Sequence, residues 1–169
     1  YVLSQLGGGN INQTARTRLY DQFAGKFGFG SVTGIEQAGE AEGTIFKPTS
    51  EQGNDVRYSN MAFGQGMNVT MIQVASAFSS VINDGKYYQP HLVEGTVDDN
   101  GVESASPVEP LRKDVVSSAT STALRDMTRT ALAQSSAVNK LVRPGYNVGG
   151  KTGTSQTIDP NTGKYSDSN

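Results

Sequence analysis

The sequence contains no cysteine, no tryptophan and a single histidine, His91. Disulfides and thiolate metal sites are therefore excluded, and one histidine offers no zinc-ligand spacing. No apolar run approaches the ~20 residues that a membrane-spanning helix needs. Lysine and arginine number 14 against 16 aspartates and glutamates, for a net charge of −2. The chain thus lacks the basic surface that collects phosphates, and nucleic acid is not expected as a partner.

What the chain does contain is typical of a globular domain. Apolar residues make up 35% of its 169 residues and charged residues 18%, which is enough apolar material for a core. The start, Tyr1-Val2-Leu3, has no basic region before an apolar stretch, so it is not expected to be a signal peptide. We expect the chain to be a fragment of a longer protein.

The first helix is predicted over residues 14–27. Leu19, Phe23 and Phe27 recur there every four residues and form one apolar stripe on a helix. Gly28 is expected to end it, because glycine tolerates the left-handed backbone that terminates many helices.

The stretch from residue 34 to about residue 61 is polar and has no sustained period, which predicts a long surface loop. Glu36, Glu40 and Glu42 lie in it and could be mistaken for paired catalytic carboxylates. The sequence around them offers no apolar pocket to raise a carboxyl pKa. We therefore interpret them as side chains of a solvated loop.

The second helix has the strongest local signals in the sequence. Thr70 and Gln73 have the spacing of a capping box, and Val69 and Val74 have that of a hydrophobic staple. The apolar positions that follow cover too wide an arc for a surface helix, so we expect them to lie in the core. They are Met71, Ile72, Val74, Ala75, Phe78, Val81 and Ile82. The tripeptide at 83–85, Asn-Asp-Gly, is predicted to end the helix.

A third helix is predicted to begin with Asp114 as its N-cap and to end near Gln134. Before it, residues 87–97 are predicted to form a strand pair or an extended segment that closes at the turn 98–101. After it, residues 146–157 are predicted to be extended.

The segment Gly145–Thr152 matches the phosphate-loop pattern G-x-x-x-x-G-K-[ST]. A phosphate loop needs a buried strand before it and a helix directly after it, because the phosphates rest on amides at the helix N-terminus. The segment before the loop, 140–144, is short and charged and ends in proline, which does not suit a buried strand. The segment after it, 153–160, contains glycine, β-branched residues and proline, which do not suit a helix. A nucleotide-binding NTPase is therefore kept only as an alternative.

The other interpretation places the same residues in a β-strand. Alternation then sends Lys151 and Gly153 to one side and Thr152 and Thr154 to the other, with the two hydroxyls about 6.8 Å apart. Such a strand offers a cation, two hydroxyl donors and, at Gly153, room for another extended chain. These groups suit the binding of a peptide carboxylate and the addition of a substrate strand. Turn residues at 159–163 suggest that a hairpin follows.

Further short motifs occur along the chain in a fixed order. They are Phe27–Gly30 with Thr33–Ile35, Ala62–Gly66 with Val69–Ala75, Asn83–Gly85 with Gln89–Val93, and Val148–Gln156. The last contains Lys-Thr-Gly at 151–153, a motif of β-lactamases and penicillin-binding proteins. In this combination the sequence resembles the transpeptidase domain of a penicillin-binding protein, closest to the monofunctional class B enzymes of division and elongation.

The resemblance implies an α+β fold in which helices pack on an antiparallel sheet, incomplete in this chain. It implies a serine acyl-transferase that crosslinks peptidoglycan stem peptides ending in D-Ala-D-Ala and that β-lactam antibiotics acylate. Lys151 would supply positive potential, Gly153 would belong to the substrate-binding strand, and Thr152 and Thr154 would bind the carboxylate. The backbone N–H of Thr154 would be one of two oxyanion-hole donors. No metal or organic cofactor is expected.

Two motifs of the family are missing from the sequence. No serine lies three residues before a lysine, and no S-x-N occurs, so the family's nucleophile and general base are absent from these residues. The final strands and helix that follow K-T-G in the family are missing too. Residues 1–169 are therefore interpreted as part of a single transpeptidase domain, and the missing part of that domain is expected as a partner.

The resemblance also implies a location. The domain would stand on the extracytoplasmic face of a bacterial cell membrane, anchored by an N-terminal helix outside these residues, with division or elongation membrane proteins as partners. A non-catalytic relative that acts as a cell-wall scaffold is a second alternative, and an upstream S-x-x-K would distinguish the enzyme from the scaffold.

The single histidine, His91, could belong to a Ser-His-Asp triad only with a nucleophilic serine in a G-x-S-x-G elbow. The sequence contains no such elbow, so we interpret His91 as structural.

Overall fold

The computed structural model describes residues 1–135, 140 and 144–153. Within them, helices and one small antiparallel sheet give an α+β arrangement, as predicted. The α-helices are α1 (Val2–Leu6), α2 (Gln13–Tyr20), α3 (Asp55–Met61), α4 (Met71–Ile82) and α5 (Ser118–Gln134), and a π-helix spans Asp21–Lys26. The strands are β1 (Gly95–Val97) and β2 (Glu103–Ala105).

The first predicted helix forms in two geometries. α2 begins after Asn12, whose side chain accepts a hydrogen bond from the Ala15 N–H at 3.0 Å, as an N-cap asparagine does. It passes directly into the π-helix. The predicted end is confirmed: Phe27 caps the π-helix, and Gly28 adopts a φ of +77° that glycine tolerates.

The prediction of an unbroken loop over residues 34–61 is wrong, because α3 lies at its end. Asn54 caps this helix by accepting the Arg57 N–H at 3.0 Å. Within its seven residues, Tyr58 and Met61 are fully buried. Two apolar positions three residues apart are too few to define a helical period in the sequence.

The main core lies where α1, α2 and α3 meet. Its buried members are Leu3, Ala15, Leu19, Tyr58 and Met61. The Tyr58 hydroxyl donates to the carbonyl oxygen of Phe46 at 2.7 Å, so the buried phenol has a partner. Burial raises the pKa of Tyr58. This core therefore keeps the phenol neutral and joins the loop before α3 to that helix.

α4 begins as the sequence predicts. The Thr70 hydroxyl accepts the Gln73 N–H at 3.3 Å, and the Gln73 side chain accepts the Thr70 N–H at 3.0 Å, which completes the capping box. The predicted end is also confirmed, since Asp84 and Gly85 have φ values of 65° and 79°. Local signals thus fix both ends of this helix.

The prediction that the apolar positions of α4 lie in the core is wrong for the described part of the chain. The buried residues of the helix are small or polar: Gln73, Ser76, Ala77 and Ser80. The exposed residues include the large apolar ones, with exposed fractions of 88% for Met71, 43% for Val74, 45% for Phe78 and 37% for Ile82. The reason is that the described residues cover the polar side of α4, and Ile72 and Val81 at the edges of that side are half-buried.

α5 begins later than predicted and ends where predicted. Asp114 is not its N-cap and instead has a left-handed φ of 57°. Ser117 caps the helix and accepts the Thr120 N–H at 3.1 Å. Serine is as good an N-cap as aspartate, so composition alone does not choose between the two positions.

The predicted strand pair is shorter than expected and lies further along the chain. β1 and β2 pair antiparallel, with Gly95 opposite Ala105. The predicted turn at 98–101 connects them, and the Asp98 carboxylate accepts the N–H groups of Asn100 and Val102 at 2.9 and 2.8 Å. Ahead of this hairpin, Tyr87 forms only an isolated bridge with Arg112.

Candidate functional site

The predicted site residues Lys151, Thr152 and Gly153 lie in the last described segment of the chain and are exposed. Thr154 lies outside the described residues. The Lys151 ammonium donates to the Thr152 carbonyl oxygen at 2.8 Å and lies 3.3 Å from the Thr152 hydroxyl oxygen. A cation and a hydroxyl donor therefore lie side by side at the surface, where an anionic group from solution can reach both.

The strand predicted for these residues is not present over 146–153. A strand needs a neighbour to pair with its N–H and C=O groups. In the described part of the chain the β1–β2 hairpin pairs only with itself, so it offers no such neighbour. The remainder of the predicted extended segment and the hairpin turn at 159–163 lie outside the described residues.

No helix begins at Thr152 or Gly153 either. A phosphate loop places its lysine beside the first amides of a helix, and residues 151–153 provide none. Residues 141–143 and those from 154 on, where the flanking strand and the remainder of such a helix would fall, lie outside the described residues.

Helix α5 supports the backbone just before Lys151. The Gly150 N–H donates to the Thr128 carbonyl oxygen at 3.1 Å. At Gly149 the helix comes so close that a Cβ would lie 2.6 Å from the Thr128 hydroxyl oxygen and 3.0 Å from the Arg129 nitrogen. The position of the Lys-Thr-Gly segment is thus linked to the middle of α5.

A groove of about 480 Å³ opens between α5 and residues 146–148. Its lining residues are Asp126, Arg129, Thr130, Ala133, Tyr146, Asn147 and Val148. Arg129 and Asp126 are 3.6 Å apart and offset each other's charge. Lys151 does not line this groove, so the candidate site and the groove are neighbours and not one pocket.

The carboxylates of the polar loop are hydrogen-bond acceptors for the backbone. Glu40 accepts the Thr33 hydroxyl at 2.6 Å, the Thr33 N–H at 2.7 Å and the Gly34 N–H at 3.0 Å. The hydrogen bond from the Thr33 hydroxyl, followed by those from the backbone, lowers the pKa of Glu40. A general acid at neutral pH needs a raised pKa. Glu40 is therefore a charged acceptor that holds Thr33 and Gly34, which is more than the solvated side chain that the sequence predicts.

Glu36 has a similar role, with a partner much further along the chain. It accepts the Leu92 N–H at 2.8 Å, and this hydrogen bond is the largest cause that lowers the pKa of Glu36. The nearby His91 ring nitrogen Nδ1 lies 3.3 Å from the Val93 carbonyl oxygen. Among the described residues no group of three or more His, Cys, Asp or Glu side chains could hold a metal ion.

The sequence pattern captured only half of the role of Gln73. Its capping-box spacing predicts the acceptor contact to Thr70 but not what its amide nitrogen does. That nitrogen donates to the carbonyl oxygens of Ser31 at 2.6 Å and Glu42 at 2.7 Å. Both partners are more than thirty residues away in the sequence, so no local pattern could have found them.

Comparison with known proteins identifies the family. Residues 9–169 match the model of the penicillin binding protein transpeptidase domain. The chain belongs to this family, as the resemblance in its motifs predicts. The match favours neither the NTPase nor the scaffold alternative. In the described part of the chain, no helix combines the length and apolarity needed to cross a membrane.

Two curated relatives illustrate the extent of the match. Stage V sporulation protein D of Bacillus subtilis (strain 168) is 38% identical over 146 residues, which are 85% of this chain and 22% of that protein. Penicillin-binding protein PbpB of Mycobacterium tuberculosis is 33% identical over 156 residues, which are 89% of this chain and 22% of that protein. The chain thus spans 22% of the length of each of these relatives.

Solved structures agree in fold. Apo penicillin binding protein 3 from Mycobacterium tuberculosis superposes with a TM-score of 0.75 at 30% identity, over 88% of this chain and 34% of that one. The same protein complexed with aztreonam gives a TM-score of 0.75 at 28% identity, over 94% and 38% of the two chains. The described helices therefore have the arrangement of a transpeptidase domain.

Proposed function

We propose that this chain is part of a peptidoglycan D,D-transpeptidase that crosslinks stem peptides through a serine acyl-enzyme. The observation that carries the proposal is the exposed Lys151–Thr152 pair, in a Lys-Thr-Gly motif within a chain that matches the transpeptidase family over residues 9–169. The name of one relative supports it: MrdA of Escherichia coli, a peptidoglycan D,D-transpeptidase, is 31% identical over 81% of this chain and 23% of that protein.

The reaction needs groups from outside these residues. A serine hydroxyl attacks the carbonyl between the two terminal D-alanines, and a lysine takes its proton. The amide bond then breaks, the terminal D-alanine leaves with a proton on its nitrogen, and the peptide is held as a serine ester. An amine of a second stem peptide attacks the ester, which forms the crosslink and regenerates the serine. Because residues 1–169 hold no S-x-x-K, we expect this chain alone not to be acylated.

Within that reaction, Lys151, Thr152 and Thr154 bind the carboxylate that ends the donor peptide. The ammonium and hydroxyl of Lys151 and Thr152 are already adjacent at 3.3 Å. Hydrogen bonds between a cation and a carboxylate are about twice as strong as those between neutral groups, so the pair selects a substrate with a free terminal carboxylate. The N–H of Thr154 donates to the oxyanion that forms when the serine attacks. Gly153 leaves room for the substrate backbone.

The same groups suit β-lactam antibiotics, which carry an equivalent carboxylate. Structures of penicillin binding protein 3 from Mycobacterium tuberculosis are complexed with ampicillin and aztreonam. We place the domain on the extracytoplasmic face of a bacterial membrane, anchored by a segment outside these residues. Its partners there are membrane proteins of cell division or elongation, and its chemistry uses no cofactor.

The proposal is tested by incubating the purified whole protein with a synthetic stem peptide and an acceptor amine. We expect release of D-alanine and formation of a crosslinked product, both blocked by benzylpenicillin. A donor peptide whose terminal carboxylate is amidated serves as the control and should react much more slowly. Equal rates with the free and amidated donors would contradict the assigned role of the Lys151–Thr152 pair.

A further inference from the structure

The segment 92–110, which we call the acidic arm, contains the β1–β2 hairpin and stands clear of the described helices. Every residue from 96 to 109 is exposed. The arm contains five acidic residues and no lysine or arginine, although the whole chain has a net charge of only −2. Its acidic residues are Glu94, Asp98, Asp99, Glu103 and Glu109. The rest of the chain is therefore net positive.

The arm gains little stability from its own packing. Two strands alone are marginally stable in water. In the described part of the chain, β1 and β2 pair only with each other, so the outer edge of each strand keeps unpaired backbone groups. Val97 and Val102 are 65% and 58% exposed, which adds apolar surface beside the acidic side chains. Open edges of this kind are surfaces to which another polypeptide can bind.

A group of cations lies at the foot of the arm, where Tyr87 and Arg112 form their isolated antiparallel bridge. The Arg112 guanidinium carbon lies 4.3 Å from the centre of the buried Tyr87 ring, and the guanidinium donates to the Lys26 carbonyl oxygen at 2.9 Å. The Lys26 ammonium lies 3.4 Å from the carbonyl oxygen of Asp114. Lys86 directly precedes Tyr87 and is exposed, as Lys26 is. We call Lys26, Lys86 and Arg112 the basic patch.

The arm and the patch do not neutralise each other. The ion pairs among the described residues include none of the acidic side chains of the arm and none of the cations of the patch. Arg112 is held in place by the Tyr87 ring and by its bond to the backbone, so little of its freedom remains to be lost on binding an anion. Opposite charges that stay apart within one molecule remain available to another molecule.

We propose that the acidic arm of one copy of this protein docks on the basic patch of a second copy. The charge complementarity of the two surfaces selects this partner, since one chain carries both of them. The arm and the patch are different surfaces, so the contact is heterologous and copies join head to tail in a row or a ring. Exposed ion pairs are individually weak, which makes the contact reversible and sensitive to salt.

Sedimentation velocity of the whole protein, measured over a range of protein concentrations, tests the proposal. We expect self-association that weakens as the salt concentration rises. Lys86→Glu on the patch and Glu103→Lys on the arm should each raise the dissociation constant by about tenfold or more, because each change puts like charges together. Lys47→Glu and Glu51→Lys are the matched controls, since both residues are exposed and lie away from the arm in the sequence. The controls should associate as the parent does.

Mixing the two variants gives a result that misfolding cannot imitate. The intact arm of the Lys86→Glu protein can dock on the intact patch of the Glu103→Lys protein, so an equimolar mixture should regain the parental association. A mixture that stays dissociated would overturn the proposal, as would a parent protein that is monomeric at every concentration. Association that Lys86→Glu weakens and Glu103→Lys does not would also overturn it, because the patch would then bind an anion other than the arm.

Discussion

The side-chain nitrogen of Gln73 lies 2.6 Å from the carbonyl oxygen of Ser31 and 2.7 Å from that of Glu42. These carbonyls belong to two separate points of the polar stretch that follows the π-helix. The oxygen of the same amide accepts the Thr70 N–H at the start of α4. One buried, uncharged side chain therefore holds the loop and the helix N-terminus together.

Replacing Gln73 with leucine should destabilise the protein strongly. The change leaves two loop carbonyls without their donor and removes half of the capping box, and each buried unsatisfied group costs about 1–3 kcal/mol. We expect the free energy of unfolding in urea to fall by about 2–4 kcal/mol. Gln52→Leu is the control, because Gln52 is exposed, and should change stability by less than about 0.5 kcal/mol. Similar losses in both variants would contradict the role assigned to Gln73.

The lowered pKa of Glu40 predicts a dependence of stability on pH. Its folded pKa lies below the ordinary value of 4.5, so the unfolded chain binds the proton more readily. The stability that this carboxylate contributes is therefore fully present above pH 4.5 and is lost as the pH falls through the folded pKa. We expect Glu40→Gln to destabilise the protein at neutral pH and to reduce the stability lost between neutral pH and the acid range.

Urea unfolding at a series of pH values measures this effect, with Glu42→Gln as the matched control. Glu42 lies in the same loop and its side chain is exposed. A stability difference between parent and Glu40→Gln that stays constant down to acid pH would show that the carboxylate charge has no role in holding Thr33 and Gly34.

The sequence predicted features of this fold that depend on neighbouring residues and missed those that depend on distant ones. The capping box at Thr70 and the end of α4 at Asp84 are local, and both are confirmed. The prediction of which side of α4 is buried was wrong, because burial depends on which layers cover the helix. The seven residues of α3 were missed because a short helix shows little periodicity, and its stability comes from Tyr58 and Met61 in the core.

The candidate site shows the same division. The Lys-Thr-Gly motif and its family could be recognised from residue order alone, and the family is confirmed. The strand predicted over Lys151–Gly153 depends on neighbouring strands that the described residues do not provide. The adjacency of Lys151 to Thr152 follows from their sequence positions, whereas the support of Gly150 by Thr128 does not.

Nucleotide should not bind to the Gly145–Thr152 segment, although it matches a phosphate loop. Residues 153–160 contain glycine, β-branched residues and proline, which disfavour the helix whose N-terminal amides would hold the phosphates. We expect millimolar ATP or GTP to leave the melting temperature of the protein unchanged. A saturable rise in melting temperature that Lys151→Ala abolishes would contradict this expectation and show that the segment binds nucleotide.

Substitutions at Thr154 should separate the roles of its hydroxyl and its backbone in the whole enzyme. Thr154→Ser keeps both the hydroxyl and the N–H, so the rate of acylation by penicillin should change little. Thr154→Pro removes the N–H, and losing one oxyanion-hole donor costs about 10²–10³ in rate. Stopped-flow kinetics measure the acylation rates of the parent and the two variants, after circular dichroism has shown that each variant is folded. A proline variant as fast as the serine variant would remove Thr154 from the oxyanion hole.

The rate at which a fluorescent penicillin acylates the whole protein, compared with its Lys151→Ala variant, tests the proposed function most directly. Lys113→Ala is the matched control, because Lys113 is also an exposed lysine. Removing a charge-assisted contact of about 1.5–3 kcal/mol should slow acylation by about tenfold to a hundredfold, while the control keeps the parental rate. If Lys151→Ala is acylated as fast as the parent, Lys151 is an ordinary surface lysine and the assigned site is wrong.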